Sequence, residues 1–212
     1  MCPPSASSVK SFNLPTCRHP KLSSPMNHPL SDFRFCPHCG SRRFLDNDAY
    51  SRRCADCGFT FYPNAAAATV AIILNAAGEL LCVRRSREPA KGTLDLPGGF
   101  VDPGESITEG LRREVLEEVG AEIDSAEFLF SYPNTYPFSG HTVHTADAFF
   151  RCRISHPETV SAHDDAAEVC WLPLQAVNPD AFGLQSVRRG VQKFLAMEGT
   201  TACNMNYSGD KM

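Results

Sequence analysis

Residues 96–121 read LPGGFVDPGESITEGLRREVLEEVGA, and the reading of the whole chain turns on this stretch. Its second half spells a helix with both ends marked. Ser106 and Glu109 stand in S-x-x-E spacing, the capping box in which each side chain satisfies a backbone amide near the other. Gly120 supplies the left-handed stop. Ile107, Leu111, Val115 and Val119 recur every four residues, the stripe of a helix that lays one face on a core. At about 100° per residue, with Ile107 at zero, Leu111 falls at about 40° and Val115 at about 80°. Glu118 falls at about 20°, inside the stripe, with Glu114 at about −20° and Glu117 at about −80°. A solvated acidic face is the plain reading of such glutamates. It fails for Glu118, because a carboxylate inside an apolar stripe is costly unless a cation neutralises it.

Converging carboxylates with no Cys or His nearby suit a hard ion, Mg²⁺ or Mn²⁺, rather than zinc. Such an ion keeps waters and meets substrate phosphates. Arg113, four residues before Glu117, is placed to pair with it and orient it. The glycines between Leu96 and Glu105 let backbone approach a ligand closely, where a carbonyl can complete a metal shell.

Working outward, Thr69–Asn75 is a β-rich apolar run, Asn75–Gly78 a turn and Glu79–Arg84 a second strand, together predicting a hairpin. Further strands are predicted at Glu127–Tyr132, Val143–Ile154 and Val169–Leu172, and a closing amphipathic helix at Leu184–Met197. Upstream, Cys36-Pro-His-Cys39 and Cys54-Ala-Asp-Cys57 are separated by 14 residues, each followed by a glycine. Two such knuckles place four thiolates around one tetrahedral Zn²⁺. Paired disulfides are the other reading, disfavoured without a secretory signal. A four-Cys site has no open position, so the ribbon is read as a structural staple, with His38 a bystander. Its four arginines, at 42, 43, 52 and 53, are a modest case for nucleic-acid contact.

The 212 residues carry 20 Lys+Arg against 24 Asp+Glu, a balance that disfavours a nucleic-acid-coating protein. The longest apolar stretch, Ala65–Leu74, is broken by Thr69, so a membrane span is not expected. Residues 1–31 hold seven Ser and six Pro and no apolar signal core, which predicts a disordered extension and a cytoplasmic protein. The tail 199–212 is expected to be flexible. The ribbon is assigned to residues 32–62 and the remaining folded domain to residues 63–198.

Gly99-x5-Glu105-x7-Arg113-Glu114-Val115-Leu116-Glu117-Glu118-Val119-Gly120-Ala121 resembles the Nudix box, G-x5-E-x7-R-E-U-x-E-E-x-G-U, where U is bulky and aliphatic. All seven fixed polar or glycine positions are filled, and only Ala121 is smaller than the pattern. The resemblance implies an α/β/α sandwich with a mixed β-sheet, preceded here by the small zinc ribbon. It also implies metal-dependent hydrolysis of a nucleoside diphosphate linked to another group. Glu114, Glu117 and Glu118 would bind Mg²⁺ or Mn²⁺ and help activate water beside Arg113, with the Gly98 carbonyl a further metal contact.

A ribbon directly before such a domain is similar to the NADH pyrophosphatase branch. That branch carries a marker, S-Q-P-W-P-F-P-x-S, where this chain has Ser131–Ser139. Ser131, Pro133, Pro137 and Ser139 match, while Tyr132, Asn134, Thr135 and Tyr136 replace Gln, Trp, Pro and Phe. The resemblance makes Tyr132, Tyr136 and Ser139 substrate contacts from a loop. It makes Tyr62 and Phe100 aromatics that sandwich an adenine ring, and Glu168 a metal ligand from a separate loop. On their residues alone, Tyr62 and Phe100 read equally as core aromatics and Glu168 as a solvated acid beside Asp164 and Asp165.

The substrate class implied first is NADH, NAD⁺ or an ADP-ribose-like nucleotide. A nucleoside triphosphate pyrophosphohydrolase and a non-catalytic nucleotide sensor are the alternatives. NAD-capped RNA is a further substrate of the branch to which the net charge lends no support. Relatives build the site across two subunits, which implies a homodimer. The branch usually has a sizeable domain before its ribbon, whereas 35 residues precede Cys36 here, an expectation of looser selectivity or a different substrate.

Overall fold

The computed structural model describes residues 28–163 and 166–205. The expectations for residues 1–27 and 206–212 lie outside them, as do Asp164 and Asp165. The chain divides after Pro63 into two compact units.

The first unit is an antiparallel sheet of β1 (Phe44–Asp46), β2 (Arg52–Cys54) and β3 (Thr60–Phe61), in that order. Its core is small: Cys36, Phe44 and Cys54, with Phe59 and Phe61 packed against them. Gly40 and Gly58 both take positive φ, at 74° and 76°, and return their amides to the carbonyls of Cys36 and Cys54. Those are the tight turns that the two knuckles require.

The second unit holds two sheets. The mixed sheet runs β4 (Ala66–Ile73), β8 (His141–Ile154), β7 (Ile123–Phe138), with β4 parallel and β7 antiparallel to β8. The other is antiparallel, β6 (Leu94–Asp95), β5 (Glu79–Arg85), β9 (Ala166–Pro173). Alternation along β4 shows how the layers form. Val70 and Ile72 pack with Val187, Val191 and Phe194 of helix α2 (Gln185–Met205). Ala71 and Ile73 pack with Leu111, Val115 and Val119 of helix α1 (Ile107–Val119). β5 divides the same way, Leu80 and Cys82 against Leu81 and Val83. A strand buried on both faces needs a helix on each, and the result is the expected α/β/α sandwich.

Helix α1 is capped as its residues dictate. Ser106 and Glu109 close the capping box, and Gly120 sits left-handed at φ 68° with its amide on the Leu116 carbonyl. Ile107 departs from the expected stripe, being exposed, since the first turn overhangs the sheet that Leu111, Val115 and Val119 reach.

The predicted hairpin is corrected. The turn forms, with Asn75 Oδ1 accepting from the amides of Ala77 and Glu79, both at 2.9 Å. After one bridge, Leu74 to Leu80, the arms diverge into different sheets. Both strands are apolar on both faces, so their hydrophobic pattern does not select a partner.

The Ser131–Ser139 segment is likewise strand rather than loop, the end of β7, which turns at Ser139 and Gly140, φ 49° and 80°, into β8. Successive positive φ values make this a primed two-residue turn. Counting back from it, Phe138, Tyr136 and Asn134 direct their amides to β8, so Pro137 and Pro133 fall where an amide would face outward. β7 is an edge strand, where that loss is tolerated. Helix α2 also outruns its predicted end at Met197, continuing to Met205. Among the described residues no helix is long and apolar enough to cross a membrane.

Candidate metal centre and active site

In the first unit the four cysteine sulfurs lie within 4.8 Å of one another. Cys36 Sγ is 3.8 Å from Cys57 Sγ and Cys39 Sγ 3.6 Å from Cys54 Sγ. Four sulfurs bound at about 2.3 Å to one tetrahedral ion would lie about 3.8 Å apart, whereas a disulfide needs about 2.05 Å. The four are free thiols arranged as a metal site. The amide of Cys57 above all holds the Cys54 thiol down to about 6. Cys39 is pushed up to about 12, its Ser41 amide outweighed by the Cys57 thiol, burial and its other thiol neighbours. Crowded thiols resist sharing negative charge, which a cation among them would supply the means to do.

In the second unit the Gly98–Gly99 backbone meets the edge of α1. Gly98 N donates to Glu118 Oε2 at 2.9 Å. At φ 143°, Gly98 sits where a Cβ would lie 2.1 Å from the Thr69 carbonyl, so only glycine fits. A Cβ on Gly99 would lie 2.5 Å from the Glu114 carboxyl, so backbone and carboxylate are in close approach. Arg113 is the hub beside them. Its guanidinium reaches Glu105 Oε1 and Oε2, Glu114 Oε1 at 2.8 Å, Glu117 Oε2 at 3.1 Å and the Phe100 carbonyl at 3.0 Å. Burial raises the Glu114 carboxyl above its ordinary range against the pull of Arg113, with Glu117 and Asp102 adding repulsion. Glu105, gripped by Arg113 and the Asp102 amide, is held down to about 2.

The carboxylates are not preassembled as expected. Among the described residues only the four cysteines form a group whose ligand atoms lie that close together. Glu117 is exposed and turned to Arg113, while Glu114 and Glu118 line a cavity of about 290 Å³. The donor set still suits a hard divalent ion. It offers carboxylate and carbonyl oxygens, and burial keeps the partly buried Glu114 carboxyl raised despite its pairing with Arg113.

Of the residues singled out in the sequence, Gly98, Phe100, Glu114, Glu118 and Tyr136 line this cavity. Tyr132 does not; it lies under Arg189, 4.4 Å from guanidinium to ring centre, beside Phe130 and Phe149. Ser139 is in the β7–β8 turn. Glu168 lies within β9 rather than a loop, 58% exposed and paired to Arg84 at 2.8 Å. Tyr62 belongs to the first unit and is exposed.

Sequence reasoning missed the buried polar residues opposite α1. Arg85 donates to Asp95 Oδ2 at 2.6 Å and to the Pro89 carbonyl at 2.8 Å. Burial raises the Asp95 carboxyl, Arg85 opposing. Asn134, Thr145 and Asp147 line the same cavity from β7 and β8. No spacing rule flags them, since they become neighbours only through strand pairing. The β7 face is informative here. Tyr132, Asn134 and Tyr136, three of the four departures from the marker, share one face of the strand, while all four matching residues fall at the alternate, odd-numbered positions.

Residues 63–192 match the family described as NUDIX domain. Among curated proteins, an NAD-capped RNA hydrolase NudC of Chromobacterium violaceum is 34% identical over 106 residues, 50% of this chain and 39% of its own. Another NAD-capped RNA hydrolase NudC, from Pseudomonas aeruginosa, is 27% identical over 169 residues, 80% of this chain and 58% of its own. The chain thus spans between two fifths and three fifths of these relatives. Among solved structures, a NUDIX hydrolase from Nitrosomonas europaea superposes with a TM-score of 0.60 at 20% identity, covering 77% of this chain and 90% of that one, a likeness of fold.

Proposed function

The chain belongs to the NUDIX domain family, and from that premise we propose that it is a divalent-metal-dependent hydrolase cleaving the pyrophosphate bond of a nucleoside diphosphate derivative. The observation that carries this is the meeting of Glu114 and Glu118 with the Gly98–Gly99 backbone at the wall of a cavity. Bound Mg²⁺ or Mn²⁺ would polarise the diphosphate and lower the pKa of the attacking water. Glu114 and Glu118 would hold that ion, with Glu117, which pairs with Arg113 here, as the further carboxylate. Arg113, held by Glu105, keeps Glu114 and Glu117 in place and neutralises charge between them. Phe100 and Tyr136, edge to face at 5.6 Å, offer a ring the apolar side of the cavity. Gly98 through its carbonyl, Glu168, Tyr62, Tyr132 and Ser139 belong to this proposal on the resemblance alone.

The substrate proposed first is NADH, NAD⁺ or an ADP-ribose-like nucleotide, supported by likeness to proteins named NAD-capped RNA hydrolases. NAD-capped RNA is the larger substrate of the same class. A nucleoside triphosphate is the second reading, favoured by Asn134 and Tyr136, the two marker departures that line the cavity. Zn²⁺ is proposed for the four cysteines, as the ion suited to a closed thiolate set. A cytoplasmic location fits free thiols, and a homodimer completes the reading.

The test is product analysis with Mg²⁺ or Mn²⁺ on NADH, NAD⁺, ADP-ribose and a panel of triphosphates, with Glu118→Gln as control. AMP plus nicotinamide mononucleotide, reduced when the substrate is NADH, is the expected result. Pyrophosphate from a triphosphate would install the second reading, and no turnover of any compound would overturn both in favour of a sensor.

A further inference from the structure

The cavity has an aromatic mouth and a polar floor, and the floor does no work for the carboxylates of α1. Asn134 is 6% exposed, yet no described residue hydrogen-bonds its carboxamide, which lines the cavity. A buried amide left without partners is costly, so one that persists points to a ligand. Across the β7–β8 ladder it faces Thr145. The hydroxyls of Thr145 and Ser186 each donate to one oxygen of Asp147, which is 4% exposed. No cation pairs with Asp147 among the described residues. A carboxylate accepts at about four lone-pair sites, so two hydroxyls leave it acceptor capacity. Asp95 differs, being satisfied by Arg85 and by the Leu96 amide at 2.9 Å.

The floor therefore offers an uncompensated negative acceptor and a carboxamide able both to donate and to accept. A phosphate would be repelled there by Asp147, and on the hydrolase reading the ion held by Glu114 and Glu118 would draw it to the α1 wall instead. What complements the floor is the edge of a flat ring bearing an NH₂ group, its face set against the Phe100–Tyr136 pair at the mouth.

We infer that Asn134 and Asp147 form a recognition subsite for the NH₂-bearing edge of a planar ring in the nucleotide. Two sources carry that chemistry, the amino group of a purine and the carboxamide of a nicotinamide. The inference deepens the hydrolase reading and rests on it for the placing of the phosphate and for its kinetic arm.

Two matched pairs decide it: NAD⁺ against its hypoxanthine analogue, in which oxo replaces the purine amino group, and NAD⁺ against deamido-NAD⁺, in which carboxylate replaces carboxamide. For the ring that occupies the floor, kcat/KM should fall by about 10- to 100-fold on losing the NH₂. Asp147→Asn, which brings a donor of nearly the same shape, should move that ratio towards one, and Asn134→Leu should do the same by a second route. Equal kcat/KM in both pairs, or a ratio unchanged in both variants, would overturn the subsite. If no compound is turned over, the hydrolase reading fails while the subsite is still decided by calorimetric binding. AMP against IMP and nicotinamide against nicotinate mononucleotide should then differ by the same factor, and equal affinities would refute it.

Discussion

Arg113 grips Glu105 with two parallel hydrogen bonds, Nε to Oε1 at 2.7 Å and Nη2 to Oε2 at 2.9 Å. A fork-to-fork pair fixes direction as well as distance. Its third nitrogen is thereby aimed at Glu114 and Glu117, so a carboxylate outside the cavity sets the posture of two that matter to it.

Glu105 should leave its mark on acid stability. Its carboxyl is held down to about 2, below the ordinary 4.5, so the stability it adds is complete above the higher value and lost as pH falls towards the lower. Thermal unfolding followed from about pH 5 down to pH 2 should show a shallower acid decline in Glu105→Gln than in the parent. Equal slopes would mean the pair adds nothing to folding.

Arg113→Lys keeps the charge but not the fork. One ammonium cannot reach Glu105, Glu114, Glu117 and the Phe100 carbonyl together. Metal-dependent turnover should drop by roughly 10- to 100-fold with the fold retained. Steady-state kinetics beside a circular dichroism spectrum checks it.

Glu114→Gln should separate stability from activity. The Glu114 carboxyl is raised by burial, so the folded state binds its proton more tightly than the unfolded one. Stability then falls as pH climbs from the unfolded pKa to the folded one, and the penalty persists above. Without metal, the variant should melt no lower than the parent at neutral pH. Added Mg²⁺ or Mn²⁺ should raise the parent's Tm but not the variant's, and turnover should fall more than about 100-fold. A variant that still gains Tm from the ion would move the metal away from Glu114.

The cysteine centre predicts about one zinc per chain by elemental analysis. Cys39→Ser should lose most of it, and a strong chelator should lower the unfolding temperature of the parent. Zinc content unchanged in Cys39→Ser would discard the four-sulfur site.

Gly190 packs where a Cβ would lie 2.2 Å from the ring of Phe149. Gly190→Ala should therefore destabilise by about 1–3 kcal/mol, although alanine is the better helix former. Urea unfolding measures it, and a stabilised variant would show that Phe149 yields easily.

The legible features were those whose partners lie close in the chain. Ser106 with Glu109, Gly120 after Val119 and each pair of knuckle cysteines act across a turn or two, and the sequence spacing is the spatial spacing. Distant pairing was opaque. The arms beside Asn75 are equally apolar on both faces, so nothing local sends one to β8 and the other to β9. Pro133 and Pro137 argue locally against a strand, because whether a proline is tolerated depends on which side its partner lies. Asp95, Asn134 and Asp147 are single polar residues on three strands, and only the fold makes them one surface. Ile107 failed for a simpler reason: a helical stripe predicts a face, not how far the neighbouring layer extends beneath it.

The prolines of β7 have a consequence beyond the site. A sixteen-residue strand at a sheet edge is a template on which another chain's strand could add, the first step towards aggregation. Because Pro133 and Pro137 occupy outward-facing amide positions, the row of donors is gapped along the part of that edge nearest the cavity. An arriving strand would find missing bonds at regular intervals. The same two residues that disguise the strand in the sequence also guard it in solution.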